Sequence, residues 1–104
     1  MKKIECYIRP ERAEALVEAL KLAGAPGVTL TEVRGFGIER VPDAYLRPKA
    51  KVEVIVADRE AEEILAVILD ENRSGAVGDG KIVVSPVEEV YRIRTGERGI
   101  GAVI

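Results

Sequence analysis

The run Gly75-Ala76-Val77-Gly78-Asp79-Gly80-Lys81-Ile82-Val83-Val84 holds the residues best suited to chemistry in this chain. Its glycines let backbone N–H groups curl closely around an anion, and Lys81 adds a cation where the loop ends. The apolar, β-branched residues that follow predict a strand behind the loop. Lys81 is not followed by Ser or Thr and leads into a strand, so this is not the phosphate loop of nucleotide hydrolases. The pattern points to holding a nucleotide's phosphates, not to cleaving them. Asp-Gly is also an ordinary turn signal, and the loop alone leaves that reading open. Arg92 and Arg94 share one parity; on a strand they would place two cations on the same side.

Composition removes other chemistries. Histidine is absent, which takes away the commonest general base, any Ser-His or Cys-His pair, and the commonest metal ligand. Trp is absent and Phe occurs once, so stacking on nucleic-acid bases is poorly supplied. A net charge of −2 argues against nonspecific binding to nucleic acid. The single cysteine, Cys6, has no internal partner and fits an alternating strand as a buried small hydrophobe. No apolar run approaches a membrane span, and Met1-Lys2-Lys3 leads at once into an alternating segment, not a signal-peptide core. A cytoplasmic protein is expected. With 104 residues, one domain over 1–104 is expected.

These residues must be positioned by the surrounding elements. Ile4 to Arg9 reads as a strand, and Pro10 opens a helix whose apolar residues Ala13, Leu16, Val17, Leu20 and Ala23 recur at helical spacing. Gly24-Ala25-Pro26-Gly27 ends it. Val28 to Phe36 and Lys49 to Val56 alternate as strands, and the stretch from Gly35 to Pro48, with Pro42 and Pro48, reads as a loop. Asp58 predicts an N-cap for a second helix ending near Asn72. Lys81 to Val84 is a fourth strand, Val87 to Arg94 alternates imperfectly, and Thr95 to Gly101 is a polar, glycine-rich tail. The order predicts an α+β, ferredoxin-like βαββαβ fold: a four-stranded antiparallel sheet with two helices on one face. Val and Ile on both parities of the third and fourth strands predict that the helix-free face is buried in an oligomer.

Four separated segments, in order, resemble the PII signal-transduction family. They are Lys2-Lys3-Ile4-Glu5 through Ile8-Arg9-Pro10; Thr29-Leu30-Thr31-Glu32-Val33-Arg34-Gly35-Phe36-Gly37; Ser74 through Ile82, which resembles the family's B-loop; and Arg92-Ile93-Arg94-Thr95-Gly96-Glu97, which resembles its C-terminal signature. The resemblance implies a homotrimer that binds ATP, ADP or AMP, with or without Mg²⁺, in clefts between subunits and regulates a transporter or enzyme in nitrogen or inorganic-carbon metabolism. It implies phosphates on Gly78, Asp79, Gly80 and Lys81, with Gly35, Gly37 and Ile55 lining the nucleotide from the same chain. Thr29, Glu53, Arg92 and Arg94 would come from the neighbour. The chain departs from the family after Gly37. Only Ile38 to Arg47 precedes Pro48, much shorter than the family's T-loop; Ile38 replaces an Arg that contacts phosphate, and Glu39 replaces a Gln that helps bind 2-oxoglutarate. Lys49 matches the lysine that pairs with 2-oxoglutarate, but a carboxylate at Glu39 would repel that ligand. Tyr45 is expected to pack the short loop onto the body and not to be modified. The departures suggest a short-loop relative outside standard nitrogen regulation. Bicarbonate is a further effector candidate on family grounds. A structural trimer with a vestigial cleft and a slow nucleotide hydrolase stand as the alternatives.

Overall fold

The first strand alternates buried and half-exposed residues because every second side chain meets the helices. In β1 (Lys2–Ile8) the buried residues are Ile4, Cys6 and Ile8; in β3 (Arg47–Val56) they are Ala50, Val52, Val54 and Val56. The two strands are antiparallel neighbours, with Ile4 opposite Val54, Cys6 opposite Val52 and Ile8 opposite Ala50. Helices α1 (Ala13–Leu22) and α2 (Ala61–Asn72) cover this face with Ala13, Leu16 and Leu20 and with Ala61, Ile64 and Ile68. Each set follows the i, i+3, i+7 spacing of one helical stripe. β2 (Thr29–Gly35) and β4 (Lys81–Pro86) complete a four-stranded antiparallel sheet in the order β2-β3-β1-β4. This computed structural model describes residues 1–37 and 46–104. The fold is ferredoxin-like, as the sequence predicts. Ile38, Glu39 and Tyr45 lie outside the described residues.

Local chemistry explains the boundaries. α1 ends where Gly24 takes a φ of 85°, with its N–H donating to Lys21 O at 3.0 Å and Ala25 N–H donating to Leu20 O at 2.9 Å. That is a Schellman ending, which a residue with a Cβ would strain. Cys6 is buried as expected, and burial pushes its thiol pKa up to about 11. Among the described residues, no helix is long and apolar enough to cross a membrane.

Four expectations are corrected. Asp58 does not cap α2; its carboxylate pairs with the Met1 ammonium at 2.9 Å, and a short 3-10 turn (Asp58–Glu60) leads into the helix. β3 starts two residues before Lys49 and contains Pro48, because β1 has already ended opposite Ala50 and no second ladder needs the missing N–H there. Residues 87–94 do not continue as a strand. After Val87 N–H donates to Met1 O at 3.1 Å, only Tyr91 bridges, to Arg98, around a reverse turn. The helix-free face is not mainly apolar. Lys51 lies 2.9 Å from Glu53 and 3.5 Å from Glu5, and Lys3 reaches Glu5 at 3.8 Å. The mutual hydrogen bond raises the Lys51 pKa and lowers that of Glu53.

This core fixes a contrast between two leucines on one helix. Leu16 is fully buried and Leu22 is 90% exposed. Leu16→Ala is expected to lower stability by about 2–5 kcal/mol. Leu22→Ala should change it by less than about 0.5 kcal/mol in urea unfolding.

Candidate functional site

The glycine loop follows α2 and is closed on itself by one carboxylate. Asp79 Oδ2 accepts hydrogen bonds from Ser74 N–H at 2.7 Å and Gly75 N–H at 2.9 Å. Its Oδ1 accepts from the Ser74 hydroxyl at 2.5 Å and from Arg9 Nη1 at 2.7 Å. The second guanidinium nitrogen of Arg9 donates to Val77 O at 3.0 Å. Asp79 N–H completes a turn by donating to Ala76 O at 3.3 Å. Donors from Ser74, Arg9 and Gly75 hold the Asp79 pKa well below the usual carboxylate range. The Asp79 side chain is thus committed to shaping the loop, which leaves the neighbouring backbone and Lys81 to meet a ligand.

Gly80 then brings the chain against β1. A Cβ at this position would lie 1.9 Å from Tyr7 O, and its φ is +101°. Only glycine fits. The close approach delivers Lys81 opposite Tyr7 at the start of β4.

The facing wall is the end of the β2–β3 hairpin. Val33 pairs with Lys49, and Gly35 pairs with Arg47. Between this wall and the loop lies a cleft of about 570 Å³. Gly35, Gly37, Lys49, Gly78, Asp79, Gly80 and Lys81 all line it, so seven of the sequence-derived positions converge within one chain. Arg34, Arg47, Tyr7 and Phe36 line it too and were not expected there. Four cationic residues, Arg34, Arg47, Lys49 and Lys81, thus line the cleft, while its one described carboxylate, Asp79, is paired with Arg9. Such a site can receive a multiply charged anion.

The other positions stand apart. Ile55 is expected on the same chain as the loop, but it pairs with Lys3, six residues along β3 from Lys49 and roughly 20 Å away at about 3.3 Å per residue. Thr29 faces Glu53 at that same far end of the hairpin. Arg92 and Arg94 flank Ile93 in the reverse turn instead of sharing a strand face. Arg92 donates to Glu97 Oε1, to Gly101 O at 3.1 Å and to Ile104 O, so its guanidinium is turned onto its own C-terminal segment. Glu39 lies outside the described residues.

The profile of the nitrogen regulatory protein P-II family matches residues 1–97. This chain belongs to the P-II family. Nitrogen regulatory protein P-II of Rhizobium meliloti (strain 1021) is 45% identical over 112 aligned positions, covering 99% of this chain and all of the relative. Nitrogen regulatory protein P-II 2 of Methanothermobacter thermautotrophicus is 43% identical, covering 99% of this chain and 97% of the relative. The Azospirillum brasilense P-II is 42% identical over 99% of this chain and all of its own length. The alignments span 112 positions against 104 residues here, so at least eight positions of the relatives have no counterpart in this P-II protein.

Arg9 is another member of the site that sequence reading misses. Extending the Tyr7–Lys81 pairing by two residues places Arg9 opposite Asp79, and nothing local announces that partnership. Arg34 and Arg47 carry a weaker signal, since each stands within one or two residues of the predicted loop ends.

Two outcomes follow from the loop geometry. Gly75 and Gly80 both have positive φ, but a Cβ at Gly75 would meet nothing within 4 Å. Each Gly→Ala change should cost about 1–3 kcal/mol for the backbone alone, and Gly80→Ala should cost more because of the overlap, as thermal unfolding would report. A depressed Asp79 pKa stabilises the fold fully above its ordinary value of 3.8, and that contribution is lost as pH falls towards the folded value. Wild type should therefore lose stability below pH 3.8, and Asp79→Asn should flatten that loss in acid titration of unfolding.

Proposed function

We propose that this P-II protein is a homotrimeric signal-transduction protein of nitrogen metabolism that binds an adenine nucleotide with its phosphates in the cleft beside the glycine loop. The observation that carries this reading is the convergence of Gly78, Gly80 and Lys81 with Gly35, Gly37 and Lys49 around one space lined by cations. Backbone N–H groups of a glycine loop and Lys81 suit phosphate oxygens, and Arg34 and Arg47 add charge from the opposite wall. The relatives' names favour nitrogen regulation over a setting in inorganic-carbon transport.

Assembly into a trimer is supported by what one chain leaves apart. Thr29 and Glu53 lie four residues along their strands from the cleft-lining Val33 and Lys49, roughly 13 Å at about 3.3 Å per residue, which suits them to lining a neighbour's cleft. Arg92 and Arg94 enter the same way, once Arg92 exchanges its intrachain partners for phosphate.

Signalling follows from the wall of the cleft. Gly37 and Arg47 flank the segment between β2 and β3, and both line the cleft. A ligand that binds them acts on both attachments of that segment and so biases what it presents to a regulated transporter or enzyme. Lys49 lies in the same cleft, so an effector carboxylate held there, such as that of 2-oxoglutarate, would sit beside the phosphates.

Calorimetric titration with ATP, ADP and AMP, with and without Mg²⁺ and 2-oxoglutarate, tests this reading. Near one nucleotide per chain is expected. Lys81→Ala should weaken ATP binding by about tenfold or more, the loss of one charge-assisted contact. Wild-type affinity in Lys81→Ala would refute the site.

A further inference from the structure

Arg9 lies just past the end of β1, before the helical turn that begins at Pro10. Its guanidinium spans the glycine loop: one nitrogen binds the Asp79 carboxylate at 2.7 Å and the other binds Val77 O at 3.0 Å. A Cβ at Gly78 would come within 3.2 Å of the same guanidinium, so the loop is drawn closely over the Arg9 head. Both partners are largely shielded, with 27% of the Arg9 side chain and 20% of the Asp79 side chain exposed. Asp79 stands between Gly78 and Gly80, in the same loop that is to receive an anion. An uncompensated carboxylate at that place would oppose every phosphate brought to Lys81.

We infer that Arg9 is the positioning residue of the phosphate loop. It fixes the Asp79 clip in place and cancels the Asp79 charge, so that the loop backbone and Lys81 act on phosphate without an opposing carboxylate. The fork geometry matters, because one planar group bridges a carboxylate and a carbonyl at two points of the loop, which an ammonium cannot do. The inference rests on the nucleotide reading above and adds to it a residue that does not itself touch the ligand.

The test compares wild type with Arg9→Ala, Arg9→Lys and the double variant Arg9→Ala/Asp79→Asn. Each is titrated with ATP by calorimetry, and amide hydrogen exchange at Ser74 and Gly75 is followed without nucleotide. Arg9→Ala should bind ATP about tenfold more weakly or worse and exchange the two amides faster. Arg9→Lys should recover part of the affinity, since it restores the charge but not the second contact. The double variant should bind more tightly than Arg9→Ala. Its asparagine oxygen still accepts from the Ser74 and Gly75 amides, and the unpaired negative charge is gone. A purely structural strut predicts no such recovery. Wild-type ATP affinity in Arg9→Ala, or a double variant no tighter than Arg9→Ala, overturns the inference. If Arg9→Ala does not fold, Arg9→Lys decides: unchanged affinity together with unchanged exchange overturns it. A wild type that gives no heat with ATP defeats the nucleotide reading instead, and the exchange rates then judge the hold of Arg9 on the loop by themselves.

Discussion

The antiparallel pairing of β1 with β4, which brings Tyr7 opposite Lys81, is the constraint on which the site depends. It carries the chain so close to Tyr7 O that residue 80 can only be glycine, and it sets Arg9 across from Asp79. The glycine run is conformationally free by composition, and an unrestrained loop of that kind would lose much entropy on binding. The Arg9–Asp79–Ser74 hydrogen bonds remove that freedom beforehand. The loop is shaped by the fold itself.

The second wall of the cleft depends on another register. Pairing of β2 with β3 sets Gly35 opposite Arg47 and Val33 opposite Lys49, so the hairpin ends as a cationic rim around two glycines. Cationic residues of β2, β3 and β4 line one space. Gathering like charges costs energy that a bound anion would relieve, so charge is the physical basis of the proposed anion site. The loop's own acid does not subtract from that field, because Arg9 holds it.

The same sheet ties its remaining polar groups to one another. Next to the cleft-lining Tyr7, Lys51 binds Glu53 along β3 and Glu5 on the neighbouring β1, and Thr29 stands opposite Glu53. In the C-terminal segment, Arg92 is folded onto Glu97 and the last carbonyls. In the proposed trimer these separated groups would be parts of a site shared between copies.

The sequence by itself determined the elements and the core face. Alternation at Ile4, Cys6 and Ile8 and the helical stripe at Ala13, Leu16 and Leu20 are local periodicities, and burial follows them directly. The composition of the glycine loop was equally legible, and so was the place of Lys81 at its end, because turn chemistry is written in neighbouring residues. Only the tertiary structure decided what the loop is tied to. Arg9 and Asp79 are 70 positions apart, and their meeting depends on a strand register that no local pattern encodes. The separation of Ile55 from the cleft and the arrival of Arg34 and Arg47 within it follow from register in the same way. Arg92 and Arg94 misled for the opposite reason: their alternation fits a strand, but a strand needs a partner, and past Val87 the chain turns back on itself.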